Sequence, residues 1–206
     1  MTMTLPLRKF MLTAHITFSV GWLGAVAVFF AHSIAGFTSE NNMIVRAAYL
    51  AMNLSAWLII VPACFGALLT GIIQSIGTQW GLFKHYWIVI KLLLTIGATI
   101  LLLVHMQPIS FMAGIASEGP LTTTQHRGLQ VQLIADAGAA LLVLLATTTI
   151  SVYKPWGMTP FGISKLRKKV PKEASKSKGL YVVIGLLIFV ILFVIIHLMG
   201  GGLHSH

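Results

Sequence analysis

The chain has 206 residues, of which 57% are hydrophobic and only 9% charged, and its formal net charge is +10. A soluble globular domain usually carries about 25% charged residues, so the composition excludes that class. One cysteine, Cys64, excludes an intramolecular disulfide and a thiolate metal cluster built from one chain.

Five apolar runs follow in chain order, over roughly 10–36, 47–73, 86–112, 129–152 and 180–200. Each supplies the roughly 20 helical residues that cross a ~30 Å hydrocarbon core. Lipid offers no hydrogen bonds to the backbone, so runs of this kind must be helices. The expected fold is all-α: a single transmembrane domain over 1–206, a bundle of five spans. Arg8 and Lys9 precede the first run as they would in a signal peptide. Its apolar stretch is about twice the 7–15 residues of such a peptide, so it reads as an uncleaved span.

Charge sets the orientation. Eight of the fourteen Lys and Arg residues lie in the connection 154–178. If the spans alternate, Arg8, Lys9 and Lys84 share its side, giving eleven against Arg46 and Arg127, with Lys91 inside the membrane. The positive-inside rule then places the N-terminus in the cytoplasm and the C-terminus outside, in a multi-pass protein of a bacterial inner membrane. Orientation accounts for the basic loop without nucleic acid, and the loop also suits anionic lipid head groups. The bilayer is the principal partner expected, and self-association into a homo-oligomer stays open. Trp80, Tyr86, Trp87, Tyr153 and Trp156 fall near the inner boundary, where aromatic residues anchor helices. Pro62 is expected to kink the second span and Pro108 to mark the outer end of the third.

Six polar side chains interrupt the apolar runs: His15, Asn53, Lys91, His105, Asp136 and His197. Ionisable groups cost at least about 2.5 kcal/mol at mid-bilayer, so they are usually kept for a task or a partner. His15, Ser19 and Trp22 share one helix face, and Lys91 lies at similar depth in the inner leaflet. His105 lies fourteen residues beyond Lys91, about 21 Å toward the outer side. There it joins His126 and His197 in an outer layer, with His32 the histidine least suited to pointing inward. Asn53 and Asp136 lie about a third of the way in from the outer side, with Gln132 one turn from Asp136. An Asp at that depth must be protonated, hydrogen-bonded to Asn53 or Gln132, or paired with a cation.

This pattern points first to b-type haem between helices. Haem needs one or two axial nitrogen or sulfur ligands, an apolar slot, and polar partners for its propionates. His15 with Trp22 and Lys91 suits an inner site, and His105 with His126 or His197 an outer one. Lys91 would neutralise a propionate or contact a redox partner; the alternative is that it snorkels to the inner surface. The run His15-Ile-Thr-Phe-Ser-Val-Gly-Trp22-Leu-Gly24 resembles the first helix of the small haem-b membrane protoporphyrinogen oxidases. His85-Tyr-Trp-Ile-Val-Ile-Lys91-Leu-Leu-Leu-Thr resembles their Lys-Leu helix, an element shared with the copper-resistance D membrane proteins. Here His105 comes about one turn later than in the oxidases, and their Arg after the first-helix Trp is missing. Residues 5–154 look most like an uncharacterised family of bacterial integral membrane proteins with no assigned activity. The resemblance implies haem-binding ancestry and membrane redox or porphyrin chemistry, with a quinone, a porphyrin or a redox protein as partner.

Two alternatives stand beside haem. The outward His105, His126, His197, His204 and His206, with Met106, Met112 and Met199, offer imidazole and thioether ligands for copper. A non-catalytic accessory subunit would use the same polar groups for packing alone. Thr147, Thr148 and Thr149 read as helix residues bonding back to their own backbone rather than as a reactive site.

Overall fold

The computed structural model describes residues 3–78, 80–119, 126–166, 184, 185 and 188. All but three positions of the expected fifth span, together with His197, Met199, His204 and His206, lie outside the described residues. Six α-helices are described: α1 (Leu5–Thr38), α2 (Asn42–Ser55), α3 (Val61–Gly77), α4 (Tyr86–Glu118), α5 (Arg127–Tyr153) and the short α6 (Pro160–Leu166). One π-helical turn, Ala56–Ile60, joins α2 to α3, so Asn42–Gly77 runs as a single span. Four helices are therefore long and apolar enough to cross a membrane: α1, α2–α3, α4 and α5. No strand occurs among the described residues.

The π turn has a local cause. Pro62 has no backbone N–H to give and its ring crowds the carbonyl four residues earlier. Just before it, Val61 N–H reaches back five residues to Ala56 O instead of four. The extra residue loosens the turn that the proline ring would otherwise strike. Pro108, in contrast, does not end its helix: α4 continues to Glu118 with the proline inside it. The expected boundary is corrected for a reason specific to membranes, where packing neighbours can compensate a missing helix bond.

α1 packs on α2, α3 and α5, and α4 packs on the same three helices, so the four spans form a ring around a common axis. Trp22, Val26 and Phe29 of α1, Tyr49, Met52 and Ile60 of the second span, and Leu133 and Ala137 of α5 meet in the core. The outward faces are just as apolar: Val20 is 62%, Leu58 67% and Leu142 68% exposed. Helices apolar on every side belong in a larger protein core or in lipid, and no water-soluble monomer shows faces of this extent.

At the end where α1 begins, hereafter the near end, residues 154–166 of the basic connection after α5 pack against the loop before α4. Lys154 closes α5 in the left-handed conformation and sets its ammonium 5.1 Å over the Trp80 ring. Thr159 N–H donates to Lys84 O and its hydroxyl to Phe83 O, stitching the start of α6 to the loop before α4. Gly162 is required there, because a Cβ would fall 2.4 Å from Lys84 O. At the far end, Arg46 donates to the carbonyls of Ala116 and Ser117, where a cation suits the last turn of α4.

Candidate functional site

The bundle axis holds a cavity of about 60 Å³ walled by all four spans. Trp22, Phe29, Ile60, Leu102, Leu133 and Ala137 are among its apolar lining, and the ionisable groups in its wall are His105 and Asp136. His105 Nε2 lies 2.6 Å from Asp136 Oδ2, with both side chains largely buried. His105 Nδ1 lies 2.6 Å from Leu101 O, one turn earlier on α4. A carbonyl can only accept, so Nδ1 carries a proton and donates it to Leu101. Two bare lone pairs would repel at 2.6 Å, so the pair holds one further proton. Placed on nitrogen it gives imidazolium and carboxylate, and placed on oxygen it gives neutral imidazole and carboxylic acid. Both forms are neutral overall, which is the condition for keeping such a pair in apolar surroundings.

The sequence leaves Asp136 protonated, bonded to Asn53 or Gln132, or paired with a cation, and groups His105 with His126 or His197. The structure gives Asn53 another partner and sets His126 apart from His105. His126 sits at the far-end start of α5, its ring edge-on to Phe111, ten residues and about 15 Å along the helix from Asp136. Asn53 serves the other face of α4, where Ser110 donates to its Oδ1 at 3.0 Å and Trp57 Nε1 donates to Ser110. Ser110 was invisible beforehand because a serine in a helix usually bonds back to its own turn. The threonines do so: Thr147, Thr148 and Thr149 donate to Leu144, Leu144 and Leu145.

The inner group is partly assembled. Trp22 is buried and Ser19 half-buried, so the stripe containing His15 faces the bundle. His15 Nδ1 is 3.1 Å from both Ala67 O and Thr70 Oγ1 of α3, and Ala67 O again fixes the proton on Nδ1. Its ring rests on Gly71, where a Cβ would meet Cε1 at 3.0 Å. Lys91 of α4 is half-buried and lies within electrostatic reach of His15.

Donor chemistry and available space give different answers for haem. A metal-bound histidine commonly donates its other ring N–H to a carbonyl, and His15 is held in that tautomer with Nε2 as the lone-pair nitrogen. His105 is held the same way by Leu101, but Asp136 occupies its Nε2. The axial cavity, at about 60 Å³, is far below the roughly 300 Å³ at which ligand pockets begin, so a macrocycle does not fit it. For copper, no three His, Cys, Asp or Glu side chains gather among the described residues. Met106 and Met112 are buried in the core, on the inward stripe of α4. No family model, curated protein or solved structure matches the chain.

Proposed function

We propose that the chain is an integral membrane protein whose functional centre is the His105–Asp136 pair, a proton-exchanging site held within the bilayer. The observation that carries this reading is the 2.6 Å Nε2–Oδ2 contact in the wall of an apolar axial cavity, with the second ring nitrogen tied to Leu101. An acid and a base that share one proton can release it to, or take it from, a group entering the cavity without leaving a net charge in lipid. The membrane redox chemistry expected from the sequence would draw its proton step from this pair. The distribution of basic residues puts the near end in the cytoplasm and the pair nearer the outer side. The test is ¹⁵N NMR of histidine-labelled protein in lipid vesicles. The expected result is a His105 ring whose nitrogens both report a proton or a strong hydrogen bond, reverting toward ordinary imidazole in Asp136→Leu. A His105 signal indifferent to Asp136→Leu would refute the reading.

A second reading, b-type haem on His15, is favoured by the Nδ1–Ala67 contact, with Lys91 the cation of α4 on that side of the bundle. Residues of α1, α3 and α4 at that level would hold the group, and it would supply one-electron chemistry there. Purified protein should then show a Soret band that His15→Ala diminishes. Protein that is colourless from haem-replete cells and unchanged by added hemin removes this reading and leaves the first untouched.

A further inference from the structure

Three polar atoms at the far end of the bundle are buried and have no protein partner: His32 Nδ1, Tyr49 Oη and Gln130 Nε2. Tyr49 and Gln130 are each only 2% exposed. An unpaired buried amide or hydroxyl is costly, so three at one level need an explanation.

They lie at one level of the bundle. Phe30 packs where a Cβ of Gly138 would be, at 3.4 Å, and the Arg127 guanidinium lies 5.2 Å from the Phe37 ring. These two contacts bracket Gln130 along the antiparallel pair α1 and α5, so Gln130 stands opposite the last turn of α1, at about residue 35 or 36. Tyr49 lies against that turn, its Cζ 2.9 Å from where a Cβ of Gly36 would be. The glycine is what lets the phenol reach the axis. His32 lies one turn below, next to the fully buried Ser33. Gln130 also shares the inward stripe of α5 with Leu133 and Ala137, both in the cavity wall.

We propose that His32, Tyr49 and Gln130 hold a layer of ordered water, and that this water is the route by which protons reach His105 and Asp136. The proposal rests on the proton-sharing reading of that pair. Gln130 precedes Asp136 by six residues, about 9 Å, which about three hydrogen bonds of ordinary O–H···O length span. An amide N–H, a phenol and an imidazole nitrogen offer the mixture of donors and acceptors that a buried water uses, typically about three bonds each.

In the opposite direction no comparable set of unpartnered atoms lies next to the pair among the described residues. Below the pair, Cys64 Sγ lies 3.1 Å from Thr99 Oγ1, Thr99 donates to Thr95 O, and Thr147 donates to Leu144 O. The donors of those groups are already used within the protein. Tyr86 Oη is also buried without a protein partner, but it lies nineteen residues and about 28 Å from His105, at the near end. Between the helix ends, the other titratable groups on the packed spans are His15 and His32 of α1, Tyr49 and Cys64 of the second span, and Lys91 of α4. Of these, His32 and Tyr49 stand on the far side of the pair.

The experiment follows solvent exchange of the His105 ring protons by ¹⁵N NMR in vesicles, comparing wild type with Tyr49→Phe/Gln130→Leu. Removing two water partners should slow exchange about tenfold or more while the His105 shifts stay in place. Unchanged exchange with those shifts intact overturns the water route and spares the proton-sharing pair. Shifts that never respond to Asp136→Leu overturn the pair itself. Radiolytic hydroxyl labelling of the wild type needs no variant to fold. Tyr49 should be modified despite its burial, and Tyr49 at the background of dry core residues overturns the proposal.

Discussion

Replacing His105 and Asp136 by leucine, singly and together, tests the shared proton through stability. In Asp136→Leu the imidazole keeps its Nδ1–H on Leu101 O, but Nε2 loses its partner inside the apolar cavity wall. In His105→Leu the carboxyl loses its nitrogen, and Asp136, being largely buried, must take up a proton to stay neutral. Each single change leaves a buried polar group short of a partner, a loss of roughly 1–3 kcal/mol. Membrane helices soften such losses, because interhelical hydrogen bonds in lipid are worth about 0.6 kcal/mol on average and about 1.7 at most. The 2.6 Å contact and low exposure place this pair at the upper end, so each single variant should lose about 2 kcal/mol. The double variant removes both groups and fills the wall with alkyl carbon, which is often neutral or stabilising. With each single loss at about 2 kcal/mol and the double near neutral, the coupling energy from the cycle should be about 4 kcal/mol in size. Reversible unfolding in mixed micelles, followed by circular dichroism, measures it. Single losses that add within about 0.5 kcal/mol would show that the side chains act independently, and the shared-proton argument would fall.

Ser110→Ala removes both the donor to Asn53 and the acceptor for Trp57, and should cost about 0.5–1.5 kcal/mol with a shift in Trp57 emission. Unaltered emission would mean that Trp57 does not use that hydroxyl. Gly162→Ala forces a Cβ against Lys84 O and should free α6 from the loop, seen as faster proteolysis over 157–166 with the spans unaffected. Reporter fusions after Gly77 and Glu118 should read cytoplasmic and external, and the reverse pattern would invert every statement about inner and outer sides.

Much of the fold was legible because lipid leaves so few choices. Apolar runs long enough to span must be helices, and the four that are described begin and end within about ten residues of the expected limits. The disagreements are of one kind. The sequence reading ended the spans where polarity rises, but helices do not stop at a head group. α1 runs on to Thr38, α2 begins at Asn42, and the turn between them shrinks to three residues. Pro108 misled for the same reason, as a breaker in water that lipid and neighbouring helices tolerate. Helix phase was informative where a stripe was long, as for His15, Ser19 and Trp22, which turn toward the bundle together. Phase alone does not say which of two neighbouring helices a face meets, so His15 ending on Ala67 and Thr70 could not be read.

The pairing of His105 with Asp136 was available in the sequence and was missed through chemistry rather than geometry. Each lies seven residues from the outer end of its apolar run, 86–112 or 129–152, so antiparallel neighbours bring them to one depth. The helices are consecutive in the chain, which makes them neighbours in an up-and-down bundle. Two considerations diverted the reading: histidines were sorted with histidines in search of metal ligands, and a lone Asp was sent to amides. The energetics of lipid argue the other way. A histidine seeking a metal and an aspartate seeking a proton each solve the other's desolvation if they meet, and nothing else at that depth neutralises a carboxyl as well. Where one acidic and one basic side chain fall at equal depth on consecutive spans, their pairing is therefore the first arrangement to test, ahead of any cofactor either could hold alone.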